Sequence, residues 1–393
     1  MHFSTLPTEI ILIIAETSDS QSTINALAQA NRALYSLLNS FLYRYHVRRY
    51  EPAPALTWAA RYGQSRTLQN LLRAGADIYC EALWDAMHGP NESHPIYKAA
   101  SNGCTSIVKI LLDEGMSTRL TDSNYDKMLR LAVSANRIDM VRLLLDQGVN
   151  PWYKSKDMSI ICCAARQEHS EIVKLLLQDG ENRDPFSHGI IHQEISRTLM
   201  SYSECSGNEE IARMLIASGA DVNSIHHGGI FHDLSATALD TAAWYRRVST
   251  LKLLLAAGAN PNLVNSDRKG PLALAAGTDS SLNQDIKGQR MTMVSLLFEY
   301  GADPARAGGG GALLSAAGSG NYEMAHFLID NGTVIKCPEL DVPQQAAMDQ
   351  AVEERDFAMI RRLTNVIWPP RPIRGCPRDI RTREACNRVG IPP

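Results

Sequence analysis

One short phrase recurs along the 393-residue chain and limits what the chain can fold into. The phrase joins leucines to a few small or polar residues and a glycine, and a polar turn follows, as in LLLAAGANPN at 253–262. Its glycines stand 31 to 43 residues apart, at positions 75, 115, 148, 180, 219, 258, 301 and 332. A period of this length indicates stacked repeats with insertions rather than a single globular domain.

A second element, rich in alanine, precedes most of these phrases. It reads ALTWAARYG at 55–63, IICCAARQE at 160–168 and ALDTAAWYR at 238–246. The paired alanines predict a short helix that packs closely against its neighbours, because bulkier side chains would overpack such a contact. The leucines that follow predict a second helix, and each glycine is expected to end it in the left-handed conformation. Each repeat is therefore predicted to be a helix–turn–helix–loop unit.

Two of these stretches carry a family resemblance. HSEIVKLLLQDG at 169–180 and TALDTAAWYRRVSTLKLLLAAGANPN at 237–262 resemble the ankyrin repeat. The resemblance implies an all-α ankyrin-repeat solenoid of about eight divergent repeats over 51–337, then capping helices at 338–367 and a basic Pro/Arg-rich tail at 368–393. The repeats diverge because other residues replace the histidine of the family pattern, namely Thr57, Tyr97, Asp240 and Ala273.

The segment 1–50 lies outside the repeats. Leu6-Pro7 is typical of a helix start, TSDSQST at 17–23 is a polar break, and 24–38 carries a broad apolar helical face. The pattern resembles the F-box, which implies docking onto the adaptor subunit of a cullin-RING ubiquitin ligase. The adaptor-docking residues implied by the resemblance are Leu6, Pro7, Ile10, Ile13, Leu27 and Leu34. The alternative is an N-terminal cap that covers the apolar edge of the first repeat.

The ankyrin resemblance also implies where a target would bind. Partners of the family lie in the concave groove and contact loop tips and the positions just after the alanine pair. The implied target-binding residues are Arg61, Tyr62, Ser101, Asn102, Trp152, Tyr153, Arg166, Gln167, Trp244 and Tyr245. Trp, Tyr and Arg are the side chains that most often anchor protein interfaces. The alternative is that these aromatic residues fill gaps between adjacent repeats.

Composition narrows the possible partners and compartment. A net charge of −3 argues against a general attraction to nucleic acid or to anionic lipid, and no apolar run reaches the roughly 18 residues of a membrane span. The eight cysteines form no CxxC pair, which favours buried thiols in a reducing compartment, the cytoplasm and/or the nucleus. The expected function is protein recognition without catalysis or a cofactor, by a chain that is monomeric outside its complex.

One insertion could indicate chemistry instead. HHGGIFHD at 226–233, with His188 and His192 upstream, offers ligands that zinc could use, but their spacing fits no established site. A cysteine nucleophile at Cys162 or Cys163, with His169 nearby, is a further alternative, as is a small-molecule pocket between this loop and Trp244 and Tyr245. We interpret the insertion as an ordinary loop and expect neither catalytic nor metal-binding residues.

Overall fold

The architecture was obtained as a computed structural model. It describes residues 7–18, 21–30, 32–49, 53–79, 94–152, 158–183, 188–204, 209–228, 231–264, 270–277, 284–304, 309–318, 321–333, 342–358 and 360. The chain divides into two compact units, one formed by 1–198 with 217–220 and the other by 199–216 with 221–393.

The first unit begins with three helices that close around a core of their own. They are α1 (Thr8–Glu16), α2 (Gln21–Ala30) and α3 (Arg32–Arg49). Their buried core consists of Ile11, Ala15, Ile24, Ala28, Leu34 and Leu38. The core forms because the apolar residues of each helix recur every three or four positions and share one face. Helix α3 also packs against α5, a helix of the first repeat.

Helix pairs make up the rest of the first unit. They are α4 (Ala53–Arg61), α5 (Ser65–Arg73), α6 (Pro95–Asn102), α7 (Thr105–Asp113), α8 (Asp122–Ser134), α9 (Ile138–Asp146), α10 (Ile160–Arg166) and α11 (Ser170–Glu181), with a 3-10 turn at Met116–Thr118. Helices α4, α6, α8 and α10 pack side by side, and so do α5, α7, α9 and α11. The unit therefore has two helical layers, one of first helices and one of second helices.

The turn between the two helices of a pair has the same hydrogen bond in each repeat. A backbone N–H donates to the carbonyl of an alanine five residues earlier: Gln64 to Ala59 at 2.8 Å, Cys104 to Ala99 at 2.9 Å, Arg137 to Ala132 at 2.8 Å and His169 to Ala164 at 3.0 Å. The residue before each donor is left-handed, with φ of 65° at Gly63, 76° at Gly103, 53° at Asn136 and 60° at Glu168. This turn fixes the direction in which the end of each first helix projects.

Two helices carry residues of both units. They are α12 (His188–Tyr202) and α13 (Glu209–Ala217). The second unit then contains an antiparallel hairpin of β1 (His226–Gly228) and β2 (Phe231–Ala236), in which His226 pairs with Ala236. The sequence reasoning did not predict this hairpin, because it treated the long insertion as an irregular loop.

The second unit continues with further helix pairs and one more helix. They are α14 (Ala238–Trp244), α15 (Val248–Ala256), α16 (Pro271–Ala276), α17 (Gln284–Glu299), α18 (Gly309–Gly318), α19 (Tyr322–Asp330) and α20 (Val342–Glu353). The same turn recurs after α20, where Asp356 N–H donates to the Ala351 carbonyl at 2.8 Å and Arg355 has φ of 57°. The C-terminal segment thus repeats the backbone of an ordinary repeat turn.

The predicted all-α repeat fold is confirmed, with eight helix pairs, α4–α5 to α18–α19, among the described residues. Seven of the eight glycines are left-handed as predicted, with φ between 81° and 95°. The prediction for Gly180 was wrong, because α11 continues through this residue as far as Glu181. Gly180 instead makes room for Trp152, since a Cβ there would lie 2.8 Å from the indole Cζ2.

Candidate functional site

The layer of first helices exposes the residues that follow each alanine pair. The alanines themselves, such as Ala59 and Ala60, are fully buried because neighbouring helices meet there. Residues one position before the pair and one or two positions after it share the opposite face, since they are three and four residues apart on the helix. Arg61 and Tyr62, at the end of α4, are exposed on this face as predicted from the sequence.

An aromatic pair dominates the face at α4. Trp58 and Tyr62 are 52% and 57% exposed, and their ring centroids lie 5.3 Å apart. The guanidinium carbon of Arg61 lies 5.7 Å from the centre of the Tyr62 ring. Sequence reasoning named Arg61 and Tyr62 but missed Trp58. Its spacing of four residues from Tyr62 was the signal that both rings would share one helix face.

Ser101 and Asn102 lie on the next repeat and join its turn to the one before it. The side-chain amide of Asn102 donates to the Arg61 carbonyl at 3.1 Å and to the Lys98 carbonyl at 3.0 Å. The Ser101 carbonyl accepts from Nε of Arg137 at 3.2 Å. The structure therefore brings Arg61, Tyr62, Ser101 and Asn102 together, and Asn102 has a positioning role besides its exposure.

Arg166 and Gln167 end α10 and are exposed. The neighbouring Cys163 is half-buried, and burial raises the pKa of its thiol while the charges of Arg130 and Arg166 oppose the shift. A raised pKa disfavours the thiolate that a cysteine nucleophile requires.

The second unit carries the other aromatic pair of the prediction. Trp244 is 45% exposed at the end of α14, and Tyr245 is half-buried. The guanidinium carbon of Arg247 lies 5.9 Å from the Tyr245 ring centre, and its Nε donates to the Glu204 carbonyl at 3.0 Å. Arg247 thus makes the same kind of link between turns as Arg137 does in the first unit.

Trp152 has a packing role that the sequence left as an alternative. It is only 6% exposed, and its indole Nε1 donates to Asp179 Oδ2 at 3.3 Å. Its ring fills the space above Gly180 in the next repeat. Trp152 therefore fills a gap between repeats in this structure rather than presenting a free anchor. Tyr153 lies outside the described residues.

The six predicted adaptor-docking residues have different environments. Pro7 is the N-cap residue of α1, and Ile10 and Ile13 are 43% and 52% exposed on that helix. Leu27 packs at the edge of the core of α1–α3, and Leu34 is buried inside it. Leu6 lies outside the described residues. An accessible apolar surface is thus present at Ile10 and Ile13.

The histidines that could have formed a metal site are only partly described. His188 and His192 are in T-shaped contact, with ring centroids 6.3 Å apart, and His192 Nδ1 lies 3.2 Å from the Gly219 carbonyl oxygen. His226 Nε2 lies 2.9 Å from Ser224 Oγ. Among residues whose side chains are described, no three His, Cys, Asp or Glu groups converge as metal ligands would.

Family comparisons agree with the repeated turns and layers. The model "Ankyrin repeats (3 copies)" matches residues 56–155 and 152–226, and the model "Ankyrin repeat" matches 236–266. The chain is an ankyrin-repeat protein. Ankyrin repeats point to a protein–protein interaction module, and proteins that contain them are generally non-catalytic binding scaffolds. No helix in the described parts of the chain combines the length and the apolar character needed to cross a membrane.

Curated relatives resemble this ankyrin-repeat protein over limited stretches. It is 36% identical over 94 residues to "Ankyrin repeat, SAM and basic leucine zipper domain-containing protein 1" of Oryctolagus cuniculus, a match to 22% of this chain and 19% of the relative. It is 29% identical over 103 residues to "Putative ankyrin repeat-containing protein" of Treponema pallidum, covering 26% and 33% respectively. The chain thus spans a third or less of the length of these relatives.

Proposed function

We propose that this ankyrin-repeat protein is a non-catalytic substrate receptor of a cullin-RING (F-box type) ubiquitin ligase. The repeats hold a target protein, and α1–α3 dock onto the adaptor subunit. The role requires the cytoplasm and/or the nucleus, where that machinery acts, and a receptor that is monomeric outside its complex. The chain itself contributes binding, and ubiquitin transfer belongs to other subunits.

The exposure of Ile10 and Ile13 is the observation that supports the docking half of the proposal. Helices α1–α3 already satisfy their own core, so these two side chains have no role in closing it. Ile10 and Ile13 are 43% and 52% exposed and give α1 a small apolar surface that a partner would cover. Their spacing of three residues puts them on the same face of α1.

A second candidate role is a scaffold in which α1–α3 only cap the repeats. The packing of α3 against α5 favours it, since a terminal repeat needs a cover for its apolar edge. Capping and docking use different surfaces, α3 in one case and α1 in the other. The two roles therefore differ in whether the α1 surface has a partner.

Co-purification of the adaptor subunit with the full chain tests the proposal. The double substitution Ile10→Ser and Ile13→Ser is expected to abolish the association. The matched control is Ile190→Ser with Ile225→Ser, because these isoleucines are also exposed, by 58% and 50%, but lie outside α1–α3. If the full chain fails to recover the adaptor, or if the Ile10/Ile13 variant recovers it as well as the control does, the capping role stands instead.

A further inference from the structure

One face of the first-helix layer carries cations and no acidic residue. Twelve positions on α4, α6, α8 and α10 form what we call the first-helix face. They are Trp58, Arg61, Tyr62, Lys98, Ser101, Asn102, Leu131, Ser134, Ala135, Cys163, Arg166 and Gln167, and none of them is buried. Three of the twelve are cationic, and none is acidic.

The second-helix layer carries exposed charges of both signs in equal number. Across α5, α7, α9, α11 and the ends of these helices, the exposed acidic residues are Asp113, Glu114, Asp139, Asp146, Glu171 and Glu181. The exposed cations there are Arg66, Arg73, Lys109, Arg137, Arg142 and Lys174. An acidic ligand is therefore favoured on the first-helix face, where no acidic side chain opposes the three cations.

The sequence around α4 is also rich in arginine. Residues 20–76 contain seven arginines, no lysine and one acidic residue, Glu51, although the whole chain has a net charge of −3. The Asp126 carboxylate on α8 is paired with Arg130 at 2.8 Å. Field lines from such a cluster raise the rate at which an oppositely charged partner arrives.

The geometry points to an acidic peptide segment with an apolar or aromatic anchor as the ligand class of this face. We infer that the anchor stacks on Trp58 and Tyr62 and that the acidic side chains pair with Arg61, Lys98 and Arg166. The inference rests on the proposed role of the repeats in target binding. It adds the chemistry of the target and the residues that select it.

The layout of the face favours a peptide over single-stranded nucleic acid. Three cations are few for a phosphate backbone, since DNA-binding proteins neutralise on the order of 6–10 phosphates. The middle of the face is small and polar, at Ser101, Ser134 and Ala135, and leaves room for a main chain to cross it. With helix axes about 8–10 Å apart, Arg61 and Arg166 are separated by roughly 24–30 Å, which an extended peptide of about eight or nine residues spans.

A display library of random dodecapeptides, selected on the full-length protein, tests the inference. We expect the enriched peptides to carry a net negative charge and an aromatic or large aliphatic residue. Fluorescence anisotropy with one enriched peptide then measures its Kd. The substitution Trp58→Ala is expected to weaken binding at least about tenfold, as truncation of an interface anchor does. The variant Arg61→Glu with Arg166→Glu is expected to weaken it at least about tenfold and to reduce its salt dependence.

The matched control is Arg142→Glu with Lys174→Glu, which makes the same charge change in the exposed second-helix layer. It is expected to leave the Kd within about twofold of that of the unsubstituted protein, because rim and remote charges contribute little. Circular dichroism and thermal melting of each variant check that the fold is retained. Equal weakening in the control and in the Arg61/Arg166 variant would overturn the assignment to the first-helix face.

Three other results would also overturn the inference. The first is that no peptide is enriched on the unsubstituted protein relative to the Arg61/Arg166 variant. The second is that the enriched peptides carry no excess of acidic residues. The third is that a 20-residue oligothymidylate binds more tightly than the peptides do and that the same substitutions abolish its binding. The proposed function is tested separately, because adaptor recovery is measured with substitutions on α1 that leave the first-helix face unchanged. A target protein that the Arg61/Arg166 variant still binds would overturn the inference and leave the receptor role in place.

Discussion

The hydroxyl oxygen of Tyr97 accepts a hydrogen bond of 2.8 Å from the side-chain amide of Asn124. Tyr97 is fully buried at the start of α6, and Asn124 is 7% exposed in the first turn of α8. Asn124 also completes a capping box with Thr121, whose hydroxyl accepts from the Asn124 N–H. The bond therefore ties the core of one repeat to the helix start of the next.

The substitution Tyr97→Phe tests this tie. It removes the acceptor and leaves a buried amide donor of Asn124 without that partner, which costs about 1–3 kcal/mol. We expect a lower free energy of unfolding by urea denaturation. Tyr322→Phe is the control, because Tyr322 is 48% exposed and water can replace any bond that its hydroxyl makes. Equal stability of the two variants would mean that the Tyr97–Asn124 bond does not support the stack.

A second tie between repeats runs through asparagines in the second unit. Nδ2 of Asn262 donates to the Gly301 carbonyl at 2.9 Å, and its Oδ1 accepts from the Asp303 N–H at 2.7 Å. Asn223 makes the same two bonds one repeat earlier, to the Gly258 carbonyl and from the Asn260 N–H. Each loop is thereby held to the loop that follows it.

Asn262→Ala is expected to lower the free energy of unfolding by roughly 1 kcal/mol, since two exposed but direct hydrogen bonds are lost. Asn331→Ala serves as the control, because its amide donates within its own turn, to the Phe327 carbonyl at 2.7 Å. Hydrogen exchange of the Asp303 amide offers a local readout. If the Asp303 amide exchanges no faster in Asn262→Ala than in the unsubstituted protein, the bond to Asn262 does not hold the two loops together.

The sequence predicted the repeats well because their signal is local and recurs. Alanine pairs, leucine spacing and closing glycines all lie within about 25 residues of each other, and every repeat gives an independent reading of them. The error at Gly180 arose from a contact between repeats. Trp152 stands 28 positions before Gly180, so no local pattern shows that this glycine accommodates an indole rather than a turn.

The candidate site was predictable only in part, because contacts between repeats, which no local pattern shows, again decide which side chains are exposed. The positions after the alanine pair project outward because of helix geometry, which correctly placed Arg61 and Tyr62 at the surface. Whether an aromatic residue there is an anchor or a filler depends on the neighbouring repeat. Trp58 and Trp152 show both outcomes, at 52% and 6% exposure. Burial of this kind depends on which side chain faces the residue across the layer.

Asp240 holds the position that Asn124 holds in its own repeat, at the third residue of a helix capped by a threonine. Its Oδ2 accepts from the N–H and the hydroxyl of Thr237, both at 3.0 Å. Burial raises the pKa of the Asp240 carboxyl from 3.8 to about 6, although the bonds from Thr237 oppose the shift. The native state therefore keeps a proton that the unfolded state releases, and stability falls as pH rises from about 4 to about 6.

The substitution Asp240→Asn removes this contribution. The stability of the variant relative to the unsubstituted protein is expected to rise between pH 4.5 and pH 7, by about 2 kcal/mol at 1.36 kcal/mol per pKa unit. Urea denaturation at the two pH values measures the change, and the comparison cancels any constant cost of the buried amide. Asp139→Asn, at an exposed carboxylate on α9, is the control. A difference that stays constant with pH would show that Asp240 is ionised in the native state throughout this range.

Two glycines have open space around them, so substitutions there measure the effect of backbone conformation without an effect of packing. A Cβ at Gly258 or at Gly288 would meet no atom within 4 Å, but Gly258 has φ of 91° and Gly288 lies inside α17. Gly258→Ala is expected to destabilise the protein by about 1–2 kcal/mol, because an L side chain is strained in the left-handed region. Gly288→Ala is expected to stabilise it by up to about 1 kcal/mol, because alanine favours the helix interior. Thermal melting of both variants checks the opposite signs, and a Gly258→Ala variant as stable as the unsubstituted protein or more stable would mean that left-handed closure at Gly258 is not required by the repeat.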